Sequence, residues 1–449
     1  MTSPDKTSPD KTSPDKNSPD KNSPDTTLPD MISPDMTSPV PAPPELAALR
    51  SPAAVRARCH LVLDHVLAGH SPHFTVEEGA LGAVADYVAA VTRQDYPTLD
   101  IPYHSRWRHF DAGGLDRWGA LAAGLTSTEP AERARIMIDL AVVSVLLDAG
   151  AGDAWRYHEE ASGLTIGRSE GLAVASFNMF AAGVFSSDPT NPLRADAPAL
   201  IRLDAGTLAA HFQVSEANPL VGLEGRVRLV NRLGAALAAR PDLFGDGVFR
   251  PGHLYDALAP QARLGRLPAA RILEALLDGL SVIWPSGVSV DGVALGDVGR
   301  HPAVTVPDRS NGIVPFHKLS QWLTYSLLEP FETAGLAVTE LDALTALPEY
   351  RNGGLLVDLG LIVPRAPIDP AQKHAVSSEL VVEWRALTVA LMDRLADEVR
   401  GQLGLDASLF PLAKLLQGGT WTAGRRIAAE RRPPAGPPPI AIDADGTVF

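Results

Sequence analysis

Between Pro315 and Asp358, His317, Lys318, Gln321, Tyr325, Glu349, Tyr350 and Arg351 fall in two short segments otherwise rich in Leu and Trp. Polar groups that dense in apolar sequence point to a site. Glu349 follows a helix-breaking proline and precedes a helical stretch, beside an aromatic ring and a guanidinium. A carboxylate so placed can stabilise a developing cation or activate water. The structural alternative is a helix start, with Glu349 complementing the dipole and Arg351 pairing with it. The element that must carry the other groups reads as a helix over 315–329, opened by Pro315 and stopped by Pro330. Phe316, Leu319, Leu323 and Leu327 form its apolar stripe, and His317, Gln321 and Tyr325 recur every four residues along a flank.

Further groups invite chemistry elsewhere. Glu379 and Glu383 sit four apart on a helix expected over 376–402, where two carboxylates could grip a cation or divide acid and base work. Solvated charges, or partners for Arg385, are the structural alternative. His60, His65, His70 and His73 do not stack on one helical face, so no metal is expected. Three segments combine Arg with aromatic or polar residues: Tyr103 to Phe110 with Arg106, Asp153 to Tyr157 with Arg168-Ser-Glu170, and Ser176-Phe-Asn-Met-Phe180 running on to Asp188. Guanidinium beside an aromatic suits an anion or a flat ring. Taken with the 315–358 region, they point to one small-molecule pocket lined in part by Phe177, Asn178 and Phe180. Neither a GxGxxG turn nor a GxxxxGK[ST] loop occurs, and no G-x-S-x-G elbow, so nicotinamide, flavin, ATP and acyl-transfer chemistry are not expected. No cofactor is expected at all.

The chain as a whole sets the limits. Its 449 residues are 45% hydrophobic and 20% charged, enough for a sizeable core, and the net charge of -14 argues against a nucleic-acid backbone as partner. A single cysteine, Cys59, fits a reducing compartment, with cytoplasm the expected location. The apolar run Ile136 to Leu147 is too short to span a bilayer and contains Asp139, so it reads as a buried helix, and no membrane partner is expected. Residues 1–43 repeat Thr-Ser-Pro-Asp-Lys and decay into a Pro-rich stretch, which reads as a disordered tail. From 44 to 449 the pattern predicts a mainly α, single large helical domain, with helices near 44–68, 130–149, 338–346, 351–359 and 421–431 among others. Strand signals are few: a hairpin around Asp291-Gly292 within 288–295, and Ile440 to Ile442.

Long strings carry a resemblance: Pro102-Tyr-His-Ser-Arg-Trp-Arg-His-Phe110, Val314-Pro-Phe-His-Lys-Leu-Ser-Gln-Trp-Leu-Thr-Tyr-Ser326, Leu347-Pro-Glu-Tyr-Arg-Asn-Gly-Gly354, Gly418-Gly-Thr-Trp421 and Asp445-Gly-Thr-Val-Phe449. On these the chain resembles the uracil-catabolism (URC pathway) protein family of fungi and bacteria. The resemblance implies degradation of uracil through a ribosylated intermediate, with a partner resembling GTP cyclohydrolase II opening the pyrimidine and leaving a ribosylurea.

A more distant likeness concerns mechanism. The order of motifs is similar to that of the queuosine salvage N-glycosidases, whose helical fold is DNA-glycosylase-like. Ser176 to Phe180 is similar to their Asn-Phe-Cys-Phe-Trp, Phe316 to Gln321 to their Phe-Tyr-Lys-Arg-Ala-Gln, and Glu349-Tyr350-Arg351 to an Asp-Tyr-Arg motif whose Asp is catalytic. A late Leu-Trp pair before an Arg falls near Trp421 and Arg425. The resemblance implies Glu349 as the catalytic carboxylate, and with it Lys318 and Gln321 complete the expected catalytic set; Tyr350, Arg351 and Trp421 on the matched motifs, and His317, Tyr325 and Arg106 as available donors, are expected to bind substrate. Glu for Asp at 349 is a departure. Gly353-Gly354, in place of bulkier residues, fits a smaller leaving group. The expected activity is hydrolysis of the N-ribosidic bond of a ribosylurea or a pyrimidine nucleoside or nucleotide. The alternatives are a non-catalytic nucleotide-binding or scaffold partner, and an amidohydrolase acting on the urea.

Overall fold

The computed structural model describes residues 42–125, 128–148, 150–284, 288–369 and 371–443. The expected tail lies outside them apart from its last two residues, as does the Asp445–Phe449 motif. The fold is mainly α. The helices that matter for the site are α1 (Pro52–Leu67), α2 (Leu81–Asp95), α3 (Arg106–Phe110), α4 (Pro130–Leu146), α5 (Arg168–Ala181), α6 (Lys318–Thr333), α7 (Tyr350–Asp358), α8 (Glu379–Leu403) and α9 (Trp421–Arg431). Among the described residues, strands occur only in two-stranded pairs.

Two helices form the spine. In α4 every residue from Ile136 to Leu146 is buried, as an apolar run with no polar face demands. Its Asp139 keeps a charge in the core by taking an ion pair from Arg250 at 2.7 Å and the backbone N–H of Gly252 at 2.6 Å. The other spine helix, α8, packs against α1 and α2, while α6 lies on α4 and α7 is held between α8 and α9. Glycines set the last of these approaches. A Cβ at Gly353 would come within 2.8 Å of the Trp384 ring and 2.7 Å of the Thr388 hydroxyl, and one at Gly424 would strike the Arg351 carbonyl. Gly353 and Gly354 therefore serve helix packing, against α8 and Pro439, rather than space for a leaving group.

Several elements differ from the sequence reading. The stretch 44–68 is two helices, because Ser51 restarts the chain by accepting the Ala54 N–H with Pro52 at the first helical position. Residues 338–346 hold a strand, Ala337–Thr339, and one 3-10 turn, Leu341–Ala343. The helix expected over 315–329 begins at Lys318, since Ile313–Pro315 pairs antiparallel with Val298–Arg300, and it runs through Pro330 to Thr333. Pro330 cannot donate to the Ser326 carbonyl, but the Trp107 indole N–H does so at 2.8 Å, which lets the helix pass the proline. The short helix α3 is not among the helices expected from the sequence. The hairpin turns at Asp291-Gly292 with φ of 50° and 80°, the left-handed pair that such a turn requires. Ala441–Asp443 pairs in parallel with Lys373–Ala375.

Candidate active site

The site is assembled where α6 begins. Lys318 enters it from a turn in which His317 takes left-handed backbone (φ 49°), and Asp297 holds that turn. Its carbonyl accepts the N–H groups of Phe316 and His317, both at 3.0 Å, and its Oδ2 accepts that of Lys318 at 3.0 Å. Arg385 of α8 grips the same carboxylate with both arms and stacks 4.1 Å from the Phe316 ring centroid.

Glu349 arrives as the N-cap of α7, and it is buried. Its carboxylate accepts the N–H groups of Arg351 at 2.7 Å and Asn352 at 2.6 Å. Burial pushes the Glu349 carboxyl above its usual value, and those two N–H groups and Lys318 only partly offset this. Lys318 is pushed the opposite way by burial, below the usual amine value, with Glu349 and Asp148 opposing. Asp148, just past the end of α4, is the second carboxylate acting on that amine. It pairs with Arg106 at 2.8 Å and accepts the Ser169 hydroxyl at 2.7 Å.

An aromatic cluster adjoins these charges. Trp322 stands one turn beyond Lys318 on α6, and Trp421 opens α9 after a wide π-turn over Leu416–Thr420. His104 and His109 pack on both indoles, with centroids 4.6 and 5.8 Å away for His104 and 5.6 and 6.1 Å for His109. Both imidazoles are pushed down to about 4, chiefly by burial and for His109 also by Arg106, so they are neutral near pH 7. Arg425 lies over the Trp421 ring and pairs with Glu170 at 3.3 Å.

Other expected site residues have different duties. Gln321 is fully buried: its Oε1 accepts the Thr345 N–H at 2.9 Å, and its Nε2 donates to the Thr345 hydroxyl at 2.5 Å. Tyr325 donates to the Thr345 carbonyl at 2.8 Å. These two hold the segment that leads into Glu349. His317 Nε2 donates to the Leu49 carbonyl at 3.0 Å. Arg351 reaches the Gly436 carbonyl at 2.8 Å and lies over Tyr350, whose hydroxyl burial and Glu349 push up. Phe177 packs on Phe110, Phe180 is in the core, and Asn178 donates to Tyr157 and Glu159 at 3.2 Å each, so the contacts of this trio are with the protein's own interior.

Glu379 is exposed near His73, 3.4 Å away. Glu383 is fully buried, accepting the Ser71 hydroxyl at 2.5 Å and standing 3.0 Å from His301 Nε2. The pair therefore splits between surface and core: Glu379 fits the solvated charge, whereas Glu383 partners Ser71 and His301, and Arg385 pairs with Asp297 instead. Asp148, His104, His109 and Trp322 are not among the individual residues that the sequence points to. The histidines lie inside the Tyr103–Phe110 segment, and Trp322 is the i+4 neighbour of Lys318.

A family model described as "Protein of unknown function (DUF1688)" matches residues 48–449. "Protein urg3" of Schizosaccharomyces pombe is 39% identical over 414 residues, which cover 90% of this chain and 99% of that protein. "Uracil catabolism protein 4" of Lachancea kluyveri is 38% identical over 440 residues, covering 89% of this chain and 98% of that protein. Spanned by the model and matched along nearly its whole length by two such relatives, the chain belongs to the DUF1688 family.

Proposed function

We propose that this protein acts in uracil catabolism and hydrolyses the N-ribosidic bond of a ribosylurea or a pyrimidine nucleoside or nucleotide. The name of the Lachancea relative, a uracil catabolism protein, supports the pathway. One observation carries the reaction: a buried glutamate, Glu349, whose charge is felt by a half-buried lysine beside a cluster of Trp and neutral His. In such a hydrolysis the C1′–N bond breaks with its electrons passing to nitrogen, water oxygen bonds to C1′, and a water proton ends on the departing nitrogen. The sugar carbon passes through a cationic state, which a desolvated carboxylate stabilises more strongly than one in water. Glu349 takes that role. Lys318 holds sugar hydroxyls, and Trp322 and Trp421 cover the planar leaving group. A GTP-cyclohydrolase-II-like enzyme supplies the ribosylurea on this reading.

A second reading, binding without cleavage, is favoured by the two backbone N–H groups already on the Glu349 carboxylate. Incubating the full chain with uridine, UMP and ribosylurea, the last with and without a 5′-phosphate, separates the two. Release of urea or base together with free sugar supports hydrolysis. Saturable binding with no product leaves only the binding reading.

A further inference from the structure

His104 and His109 each spend one ring nitrogen on the protein, and those bonds fix opposite tautomers. The Nδ1 of His109 lies 3.1 Å from Nη1 of Arg106. Guanidinium only donates, so this Nδ1 accepts and the proton of the neutral ring sits on Nε2. The Nδ1 of His104 lies 3.0 Å from Oε1 of Gln417, whose amide nitrogen donates to the Tyr96 hydroxyl at 3.1 Å. Here Nδ1 donates, and Nε2 carries the lone pair. Among the described residues neither Nε2 has a hydrogen bond, and neither is sealed in packing without a partner. Packed on the same two indoles, Trp322 and Trp421, the two rings thus offer one fixed donor and one fixed acceptor.

The nearby charges are matched to each other, Arg106 with Asp148 and Arg425 with Glu170. The pattern complements a flat, neutral group that bears a carbonyl oxygen next to an N–H. We propose that His104 and His109 read a ureido or cyclic amide group, His109 Nε2–H donating to its carbonyl oxygen and His104 Nε2 accepting from the adjacent N–H. This deepens the proposed function and rests on it for the sugar that the group is attached to.

The test is calorimetric titration of the full chain carrying Glu349→Gln, so that the ligand survives the titration, with ribosylurea and with methyl riboside, which shares the sugar and lacks the ureido group. A lost hydrogen bond to a neutral group costs on the order of 1 kcal/mol, and a buried partner left unpaired costs more, so each Phe substitution weakens binding about tenfold. His104→Phe and His109→Phe are expected to weaken ribosylurea about tenfold and leave methyl riboside within about twofold, since the sugar keeps its contacts. His109→Gln keeps an N–H donor and is expected to recover most of the loss. Equal weakening of both ligands, no weakening of either, or failure of ribosylurea to bind the Glu349→Gln chain with both histidines in place overturns the proposal. The two ideas fail separately. Hydrolysis with no histidine-dependent split between the ligands removes the reader alone; the split without any hydrolysis removes the glycosidase reading alone.

Discussion

Arg385 holds Asp297 through two parallel hydrogen bonds, Nη1 to Oδ1 at 2.9 Å and Nη2 to Oδ2 at 2.7 Å, with the side chains 2% and 7% exposed. Because Asp297 also carries the N–H groups of Phe316, His317 and Lys318, the pair sets the turn that presents the lysine. Removing one partner of a buried pair costs more than the pair contributes, since the other charge is stranded. Arg385→Leu is therefore expected to cost about 3–5 kcal/mol in urea unfolding.

The same pair sets an acid limit. Burial alone would raise the Asp297 carboxyl, but Arg385 and the Lys318 N–H outweigh it and hold the carboxyl below its ordinary value. A depressed folded-state value means the carboxylate's contribution is complete above the unfolded value of about 3.9 and is lost as pH falls through the folded one, lower still. Arg385→Leu removes the depression, so the destabilisation it causes is expected to be full near pH 7 and to shrink as pH falls below about 3.9, where the unsubstituted protein loses the same contribution. A destabilisation in urea unfolding that does not change with pH would show that Asp297 is not part of the acid transition.

Glu349→Gln tests the chemistry. An amide oxygen can still accept one of the two N–H groups at the start of α7, so the stability loss is expected to be about 1 kcal/mol. Turnover is expected to fall roughly 10²–10⁴-fold, the range for a positioned acid or base. Since the ionised form is required and its carboxyl sits above the usual range, kcat/KM falls on acidification earlier than for an ordinary glutamate. Lys318 lowers that carboxyl, so Lys318→Met is expected to move the acid limb to still higher pH. A limb that stays in place separates the two residues.

Legibility in sequence followed how local each cause was. Glu349 could be read, because a proline and a carboxylate ahead of an apolar helix are a local signal, and both its capping and its burial follow from that position. On α6 the periodic row was legible but its duty was not. Gln321 and Tyr325 face Thr345, while the row that meets the aromatic cluster is one residue over, Lys318 and Trp322. A step of one residue rotates the face by about 100°, and only the partner helix decides which row meets it. Asp148 gave no signal beyond ending an apolar run. Its place depends on Arg106 and Ser169, 42 and 21 residues away in sequence, which no local pattern reports.

The Gln321 grip on Thr345 predicts a positioning effect. Gln321→Leu leaves the buried Thr345 N–H without an acceptor, at a cost of about 1–3 kcal/mol, and loosens the lead into Glu349. On the proposed function kcat is expected to fall more than KM changes, because the residue acts through Glu349 and not on the substrate. Gln321→Glu still accepts that N–H and is expected to restore part of kcat. Equal kcat in both variants would mean that the segment is held by other contacts.

Trp107 and Pro330 make a pair that can be tested by a double-mutant cycle. In a regular helix the Ser326 carbonyl would accept from residue 330, but proline has no N–H, and the Trp107 indole takes its place at 2.8 Å. Trp107 is 3% exposed, so Trp107→Phe keeps much of the packing while stranding a buried carbonyl, at an expected cost of about 1–3 kcal/mol beyond the lost contacts. Pro330→Ala supplies the missing donor from within the helix. In that background the indole bond is redundant, and Trp107→Phe is expected to cost at least about 1 kcal/mol less, read as the midpoint of urea unfolding. Equal costs in the two backgrounds would assign the whole role of Trp107 to packing against Phe110 and Trp118, and would leave the passage of α6 through Pro330 to the neighbouring helices alone.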